Sequence, residues 1–214
     1  RICRSSTLPL LVDADHGYGN ALNVKRTVEE LETAGVAALT IEDTMLPRTF
    51  NVDKQQLVSI EEGIGKMKAA LAGRQDSTLV IAARTSSVSI EPIKQTIERI
   101  QAYETTGVDA IFLVGLKTRE QLQLVSSETK LPILLGNTTE ELNDTKYLAS
   151  QGVRIALQGH LPFLAAVKAT HDTLKALRDG VPPVNIKDKL ATNELMGQVT
   201  RRENYDEWIK EFLS

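Results

Sequence analysis

Residues 32–43 read Glu32-Thr-Ala-Gly35-Val36-Ala-Ala-Leu-Thr-Ile41-Glu42-Asp43, so that a helix end, a glycine turn, an apolar run and a pair of acids follow one another directly. Glycine just past a helix supplies the left-handed residue that a side chain would strain. The run after it is short and apolar on both faces, as a fully buried parallel strand is. The phrase recurs as Glu104-Thr-Thr-Gly107-Val108 and as Ala149-Ser-Gln-Gly152-Val153, each closing a helix and opening a strand. Any α/β protein uses this turn, so the repeat speaks for topology and not for chemistry.

Working outward, six apolar runs rich in Val, Ile and Leu read as strands: Leu8–Val12, Ala37–Ile41, Thr78–Ala82, Ala110–Val114, Leu131–Leu135 and Arg154–Leu157. Helical patterns lie between them at Ala21–Thr33, Ile60–Leu71, Ile90–Thr105, Arg119–Glu128, Glu140–Ser150 and Leu161–Leu177. Such alternation means an α/β fold with a parallel sheet. An open doubly wound sheet and a closed (β/α)8 TIM-type barrel both satisfy it. A dinucleotide site would need G-x-G-x-x-G after an early strand. Gly17-Tyr-Gly19 lacks the third glycine and follows two carboxylates, which repel a pyrophosphate. Six strands are two short of a barrel, and the start at Arg1, without Met and almost on a strand, suggests a barrel domain over 1–180 whose N-terminal strand pair is missing. From Val181 the character changes. Pro182-Pro183 breaks the chain, and Ile186–Met196 and Asn204–Leu213 read as separate amphipathic helices, a helical extension over 181–214. The last carries Trp208, Ile209, Phe212 and Leu213 at helical spacing, a face for its own barrel or for a neighbouring subunit.

With 214 residues and 42% hydrophobic content there is enough chain for one good-sized core. A formal net charge of −3 and a pI near 5.7 argue against a nucleic-acid surface. No apolar run reaches the roughly 18 residues of a membrane span. The single cysteine, Cys3, cannot form an internal disulfide, which favours a cytoplasmic protein. The start without Met leaves an upstream organellar targeting segment open.

In a parallel α/β enzyme the functional groups gather where strands end and loops begin. The first strand runs out into Asp13-Ala-Asp15-His16-Gly17-Tyr18-Gly19, the second into Glu42-Asp43 and the third into Arg84-Thr85. The later ends carry Lys117, Asn137 and Gly159-His160. Asp13 and Asp15, two apart, would point the same way on a strand, and two carboxylates on one rim repel unless a cation or a proton lies between them. Glu42 completes an all-oxygen set, which suits Mg²⁺ or Mn²⁺ better than zinc. Against this, Asp15 or Asn20 could simply cap the helix beginning at Ala21. Arg84 follows an apolar strand, an expensive place for a guanidinium unless it meets an anion. That anion is either a substrate carboxylate gripped by the guanidinium fork or a neighbouring acid, Glu42 or Asp15. His160 ends the sixth strand and reads either as a structural histidine or as a catalytic one facing the same rim. His16, Lys117 and Asn137 are further candidates, and His171 falls mid-helix on the surface.

The segment Val12-Asp-Ala-Asp-His-Gly-Tyr-Gly-Asn-Ala-Leu-Asn23, followed by Thr27-Val-Glu-Glu-Leu-Glu32, Gly35-Val-Ala-Ala-Leu-Thr-Ile-Glu-Asp43, Glu61-Glu-Gly63, Ala83-Arg-Thr85, Leu113-Val-Gly115 and Gly159-His160, resembles the isocitrate lyase/phosphoenolpyruvate mutase superfamily, and within it the oxaloacetate decarboxylase-like branch. Similarity is dense over residues 8–50 and thinner afterwards. The resemblance implies a (β/α)8 barrel with its last helix swapped between subunits of a homodimer or homotetramer. It implies Mg²⁺ held by Asp13, Asp15 and Glu42, directly or through waters. It implies a small α-keto acid substrate contacted through its carboxylate by Arg84, to which the strand-end positions add His160 and Asn137 as candidate substrate contacts. The activity it implies is a metal-dependent carbon–carbon lyase, decarboxylating oxaloacetate to pyruvate through an enolate whose oxyanion His160 would hydrogen-bond.

Departures from the family pattern keep two other readings open. The superfamily's carbon–carbon lyases that cleave isocitrate carry a Lys-Lys/Arg-Cys-Gly-His loop, whereas Pro47-Arg-Thr-Phe-Asn-Val-Asp-Lys54 has no cysteine. Arg84-Thr-Ser-Ser87 stands where the mutases have Arg-Val-Glu, and Gly136-Asn-Thr-Thr139 lacks the tyrosine usual in the decarboxylase branch. The alternatives are another C–C or P–C bond lyase or mutase of the superfamily, and a catalytically weak relative serving as a scaffold or binding protein.

Overall fold

A computed structural model describes residues 1–213 as two compact units, Arg1–Gly159 and a second from His160 onward. The first opens with a single helical turn, α1 (Ile2–Ser5), then alternates strand and helix. Its order is β1 (Leu11–Asp13), α2 (Ala21–Thr33), β2 (Ala38–Glu42), α3 (Ile60–Gly73), β3 (Val80–Thr85) and α4 (Ile93–Glu104). There follow β4 (Ala110–Leu113), α5 (Arg119–Glu128), β5 (Ile133–Leu135), α6 (Thr145–Ser150) and β6 (Val153–Ala156).

All neighbouring strands are parallel, and they lie side by side in chain order, β1 to β6. That order decides between the two architectures. A doubly wound sheet reverses strand order at its switch point, whereas a barrel adds each strand beside the last. The sheet is a curled half-barrel of TIM type. The expected turn glycines are where the repeat placed them: Gly35, Gly107 and Gly152 have φ of +87°, +91° and +78°.

Some boundaries differ from the sequence reading. The first strand begins at Leu11 rather than Leu8, since Pro9 has no amide to give a ladder. The third runs on to Thr85, so Arg84 lies within the sheet. Helix α4 starts at Ile93 because Pro92 takes the cap position after a 3₁₀ turn at Ser87–Ser89. The stretch read as one helix over 140–150 is broken. Asp144 caps α6, accepting from the amides of Lys146 and Tyr147, and only a 3₁₀ turn at Glu140–Leu142 precedes it.

Strand alternation sorts the side chains into two layers. Leu39, Ile41, Ile81, Ala83, Ile111, Leu113, Ile133 and Leu135 form one core with Val24, Val28, Met67, Ala70, Ile100 and Tyr103 of the helices. Ala82, Ala110, Phe112 and Leu134 form a second cluster on the opposite face, with Leu11 and Val114 against it. Asp13, Thr40, Glu42 and Arg84 have the parity of this inner face, and the register pairs Asp13 with Thr40, Glu42 with Arg84, and Arg84 with Phe112.

The second unit is helical: α7 (Leu161–Arg178), a 3₁₀ segment at Pro183–Lys189, α8 (Asn193–Val199) and α9 (Arg202–Leu213). The single helix expected over Ile186–Met196 is two elements, because Thr192 starts a new helix by accepting from the Leu195 amide. Phe163, Leu164 and Val167 of α7 and Trp208 and Phe212 of α9 are exposed. No helix of the described residues is long and apolar enough to cross a membrane.

Helix α3 meets α4 at Gly63, where an added Cβ would collide with the buried Tyr103 hydroxyl. Gly63→Ala should gain up to about 1 kcal/mol of helix propensity. It should lose about 1–3 kcal/mol to overpacking and further stability by disturbing Tyr103, so the variant is expected to unfold at a lower urea concentration. An unchanged midpoint would mean that Tyr103 moves aside freely.

Candidate active site

The strand-end rim is organised by a turn with an unusual backbone. Between β1 and α2, Asp15 (φ +54°), Gly17 (+74°), Tyr18 (+59°) and Gly19 (+154°) all lie in the left-handed half of backbone space. For the two non-glycine residues such conformations cost on the order of 1–3 kcal/mol each and persist only where surroundings enforce them. The Asp15 amide donates to Asp13 Oδ1 (2.9 Å), and the Gly17 amide to the Ala14 carbonyl (3.0 Å). The Glu42 amide donates to the Asp15 carbonyl (2.8 Å). Strand parity therefore does not align Asp13 with Asp15, because β1 ends at Asp13 and the turn re-aims Asp15. Capping of α2 falls to Asn20, which accepts from the Leu22 amide while Asn23 accepts from the Asn20 amide. Asp15 is thus free of the capping role that was its alternative.

Asp13, Asp15, Glu42 and Arg84 come together. The Arg84 guanidinium pairs with Asp13 through Nη1, and Nε lies 3.0 Å from Glu42 Oε2, an ion-pair distance at which the buried Nε–H is not aligned to hydrogen-bond the carboxylate, while Nη2 enters neither pair. Its guanidinium carbon is 5.5 Å from the centre of the Phe112 ring, a cation–π contact. Glu42 is buried, 7% exposed, and its carboxyl is within hydrogen-bonding reach of Asp15. Burial raises its pKa, Arg84 pulls it back, and the adjacent Asp15 pushes it up again. The fork proposed for a substrate is thus engaged by two acids of its own chain, of which only Glu42 had been named as a partner.

Three carboxyls against one guanidinium leave negative charge uncovered. That donor set fits a hard divalent cation, which prefers carboxylate oxygens and relieves their repulsion. Among the described residues no group of three His, Cys, Asp or Glu side chains stands ready-made around a cation position.

Of the remaining candidates, Asn137 is exposed beyond β5, with its Oδ1 against Gly159. Lys117 is exposed beyond β4, its carbonyl accepting from Thr139 Oγ1 (2.7 Å). His160 belongs to the second unit, where it stands exposed at the N-cap of α7. His16 is half-buried, its Nδ1 has no partner, and burial and then Lys66 lower its pKa. Of the residues that support the rim, Asp43 is placed by the sequence only as a strand end, and Gln55, Lys66 and Arg99 are not singled out by it. Asp43, wholly buried, accepts from the Tyr103 hydroxyl (2.8 Å) and pairs with Arg99 (3.3 Å). Gln55 donates through Nε2 to Thr44 Oγ1 (2.9 Å) and Ser86 Oγ (3.0 Å), tying the loop after β2 to the end of β3. Lys66 and Arg99 are cations inside otherwise apolar helix stripes, a signal that periodicity could have given.

Known proteins resemble this chain in sequence and in fold. A relative from Bradyrhizobium diazoefficiens named oxaloacetate decarboxylase is 62% identical over 201 residues, 94% of this chain and 69% of its own. The structure of phosphoenolpyruvate phosphomutase from Streptomyces platensis subsp. rosaceus superimposes with a TM-score of 0.87 at 25% identity, over 100% of this chain and 76% of that one. Phosphonopyruvate hydrolase, solved with oxalate and Mg²⁺, superimposes with a TM-score of 0.85 at 29% identity, over 100% and 76%. Residues 1–178 match the phosphoenolpyruvate phosphomutase family as a whole, so the resemblance read from the Asp13–Gly19 segment holds and this chain belongs to that family.

Proposed function

We propose that this chain is a metal-dependent carbon–carbon lyase that decarboxylates oxaloacetate to pyruvate and CO₂. The observation that carries the reading is the convergence of Asp13, Asp15 and Glu42 with a single guanidinium at the strand ends of a family barrel. Its support is the name borne by a relative 62% identical to it. Asp13, Asp15 and Glu42 would hold the cation, Mg²⁺ by the preference of hard oxygen donors, with Mn²⁺ able to replace it. When bound, it supplies Lewis acidity toward a ketone and countercharge for an enolate.

The chain's own residues do the rest. Arg84 Nη2, the donor not spent on Asp13 or Glu42, orients the substrate carboxylate. The bond between C3 and the far carboxylate breaks, its electron pair stays on the substrate as the enolate of pyruvate, and protonation at C3 completes the product. No base is needed to begin. His160 is assigned to the enolate oxyanion by its place in the sequence after the sixth strand, and Asn137 to the substrate by its place after the fifth.

Decarboxylation is favoured over cysteine-assisted cleavage by where the thiol lies. Cys3 packs toward Gly35, ahead of β2 and at the opposite end of the strands from Glu42. Scaffold function would leave the strained turn and the clustered acids without a purpose. Assembly into a homodimer or homotetramer belongs to the proposal, supported by the exposed Phe163, Leu164, Val167, Trp208 and Phe212. A cytoplasmic location belongs to it too, on the strength of the lone cysteine.

Three measurements test the reading. Oxaloacetate loss should exceed the free-metal background, stop with EDTA and return with Mg²⁺, and Asp15→Ala should abolish it while the far-ultraviolet spectrum stays native. Oxalate binding without turnover of any keto acid would favour a scaffold. Arg84→Lys keeps the charge but not the planar fork. It is expected to weaken oxalate binding about ten- to a hundred-fold, the equivalent of ~1.5–3 kcal/mol, whereas wild-type affinity would leave Arg84 a purely structural partner of Asp13 and Glu42. His160→Ala should lower kcat by about 10²–10³ with little change in KM, and His160→Gln should retain substantial activity if the role is hydrogen bonding. Wild-type rates in both would remove His160 from the mechanism.

A further inference from the structure

The buried face of α3 consists of Gly63, Lys66, Met67, Ala70 and Gly73. Four of these suit a helix packed under a sheet, and Lys66 does not. It is 2% exposed, a degree of burial that a lysine tolerates only when its head group is taken up. Its Nζ donates to the main-chain carbonyl of His16 at 3.0 Å. Burial lowers the Lys66 pKa, and the charges of Glu62, Asp43 and Glu42 work against that lowering. The reaction proposed above makes no use of this residue.

His16 sits between the left-handed residues Asp15 and Gly17, and its carbonyl belongs to the peptide linking it to Gly17. The other restraints on Asp15 and Gly17 come from within the turn, through Asp13 Oδ1 and the Ala14 carbonyl, and from the Glu42 amide. Thr27 Oγ1 reaches the Gly17 carbonyl at 3.3 Å but lies closer, at 2.9 Å, to the carbonyl of Asn23. Lys66 is therefore a tether from outside the turn, fixed in a close-packed helix and bound to the carbonyl that lies between the left-handed residues Asp15 and Gly17.

We infer that Lys66 is a positioning residue: its contact with the His16 carbonyl holds the 13–19 turn in the left-handed path that sets the Asp15 carboxyl beside Glu42. Removing the donor leaves a carbonyl unsatisfied and lets the turn relax toward ordinary backbone, which separates Asp15 from Glu42. This role rests on reading the rim as a cation site. The tether itself can be measured without any metal.

The test compares Lys66→Met, which keeps length and loses the donor, with Met67→Ala, which damages the same buried face beside it. Hydrogen–deuterium exchange of the metal-free protein is read over residues 13–24 relative to β3, and Mn²⁺ affinity is read by calorimetry. Lys66→Met is expected to speed relative exchange in the turn at least tenfold and weaken Mn²⁺ binding at least tenfold. Met67→Ala should lower Tm yet leave both within threefold of wild type. Lys66→Arg, which keeps a donor, should restore most of the protection. Should the Met variant fail to fold, Lys66→Gln, too short to keep the 3.0 Å contact, gives the same comparison. Wild-type exchange in the turn of the donor-less variant, or equal effects from Met67→Ala, would overturn the inference. A wild type that binds no Mn²⁺, with selective loosening of the turn in Lys66→Met, would instead overturn the cation reading and leave the tether standing.

Discussion

Everything at the rim depends on how β2 ends. Its last residue, Glu42, points to the inner face of the sheet, and Asp43, one residue on, points to the helices, as strand alternation requires. The main chain at this point gathers three other segments. The Glu42 amide takes the Asp15 carbonyl, the Asp43 amide takes the Arg84 carbonyl (3.2 Å), and the Asp43 carbonyl takes the Val58 amide (2.8 Å). One strand end thus fixes the acidic turn, the arginine strand and the return of the following loop. Asp43 anchors that junction from behind. An isolated buried carboxylate would be very costly, but here Tyr103 and Arg99 meet it, and Arg99 in turn donates to the Val58 carbonyl and pairs with Glu91. Burial still raises the Asp43 pKa, with Tyr103 and Arg99 opposing it. Removing one member of such a cluster strands the others without partners, so it acts as a unit.

Strain and restraint balance within a few residues of that junction. Two non-glycine residues in left-handed backbone store energy comparable with a few hydrogen bonds. The turn carries about that number of restraints, from Asp13, Ala14, Glu42 and Lys66. A relaxed turn would let Asp15 follow the strand's direction away from Glu42. The enforced one keeps the Asp15 carboxyl near Glu42, which no gain in packing explains.

Much of this was legible beforehand, and the gaps have physical causes. Strand-length apolar runs bounded by glycine gave the elements, and Asp13, Glu42 and Arg84 were found because strand ends are where buried runs stop. The reasoning that joined Asp13 to Asp15 by alternation did not survive, since alternation assumes a continuing strand and cannot see that Asp15 turns left-handed. Arg84 had been given one partner or a substrate; the register, which pairs Glu42 with Arg84 and brings Asp13 within reach, is a property of three strands and not of one segment. Lys66 was missed for a different reason. Spacing places it in the stripe with Gly63, Met67 and Ala70, but a lysine in a helix is read as solvated by default. A charged residue that interrupts an apolar stripe asks for a buried partner. The partner, a main-chain carbonyl fifty residues earlier, leaves no trace in composition.

The charge at the rim has a consequence for the order of binding under the proposed function. Oxaloacetate is a dianion, and the surface it must approach presents Asp13, Asp15 and Glu42 against Arg84, whose Nη1 is paired with Asp13 and whose Nε faces Glu42. Without a cation the approach is opposed, and Arg84 can serve the substrate only through Nη2 or by releasing Asp13. Asp13, Asp15 and Glu42 would hold such an ion, which would change the local balance by two charges, and Arg84 would then share its carboxylate partners with it. Cation and substrate would therefore favour one another through a shared set of charges, and linkage would make that coupling equal in both directions. Under that reading the ion pairs of Arg84 with Asp13 and Glu42 would be a resting arrangement, in which the acids and the guanidinium offset one another's charge at the strand ends until a cation held the acids and a carboxylate met the arginine.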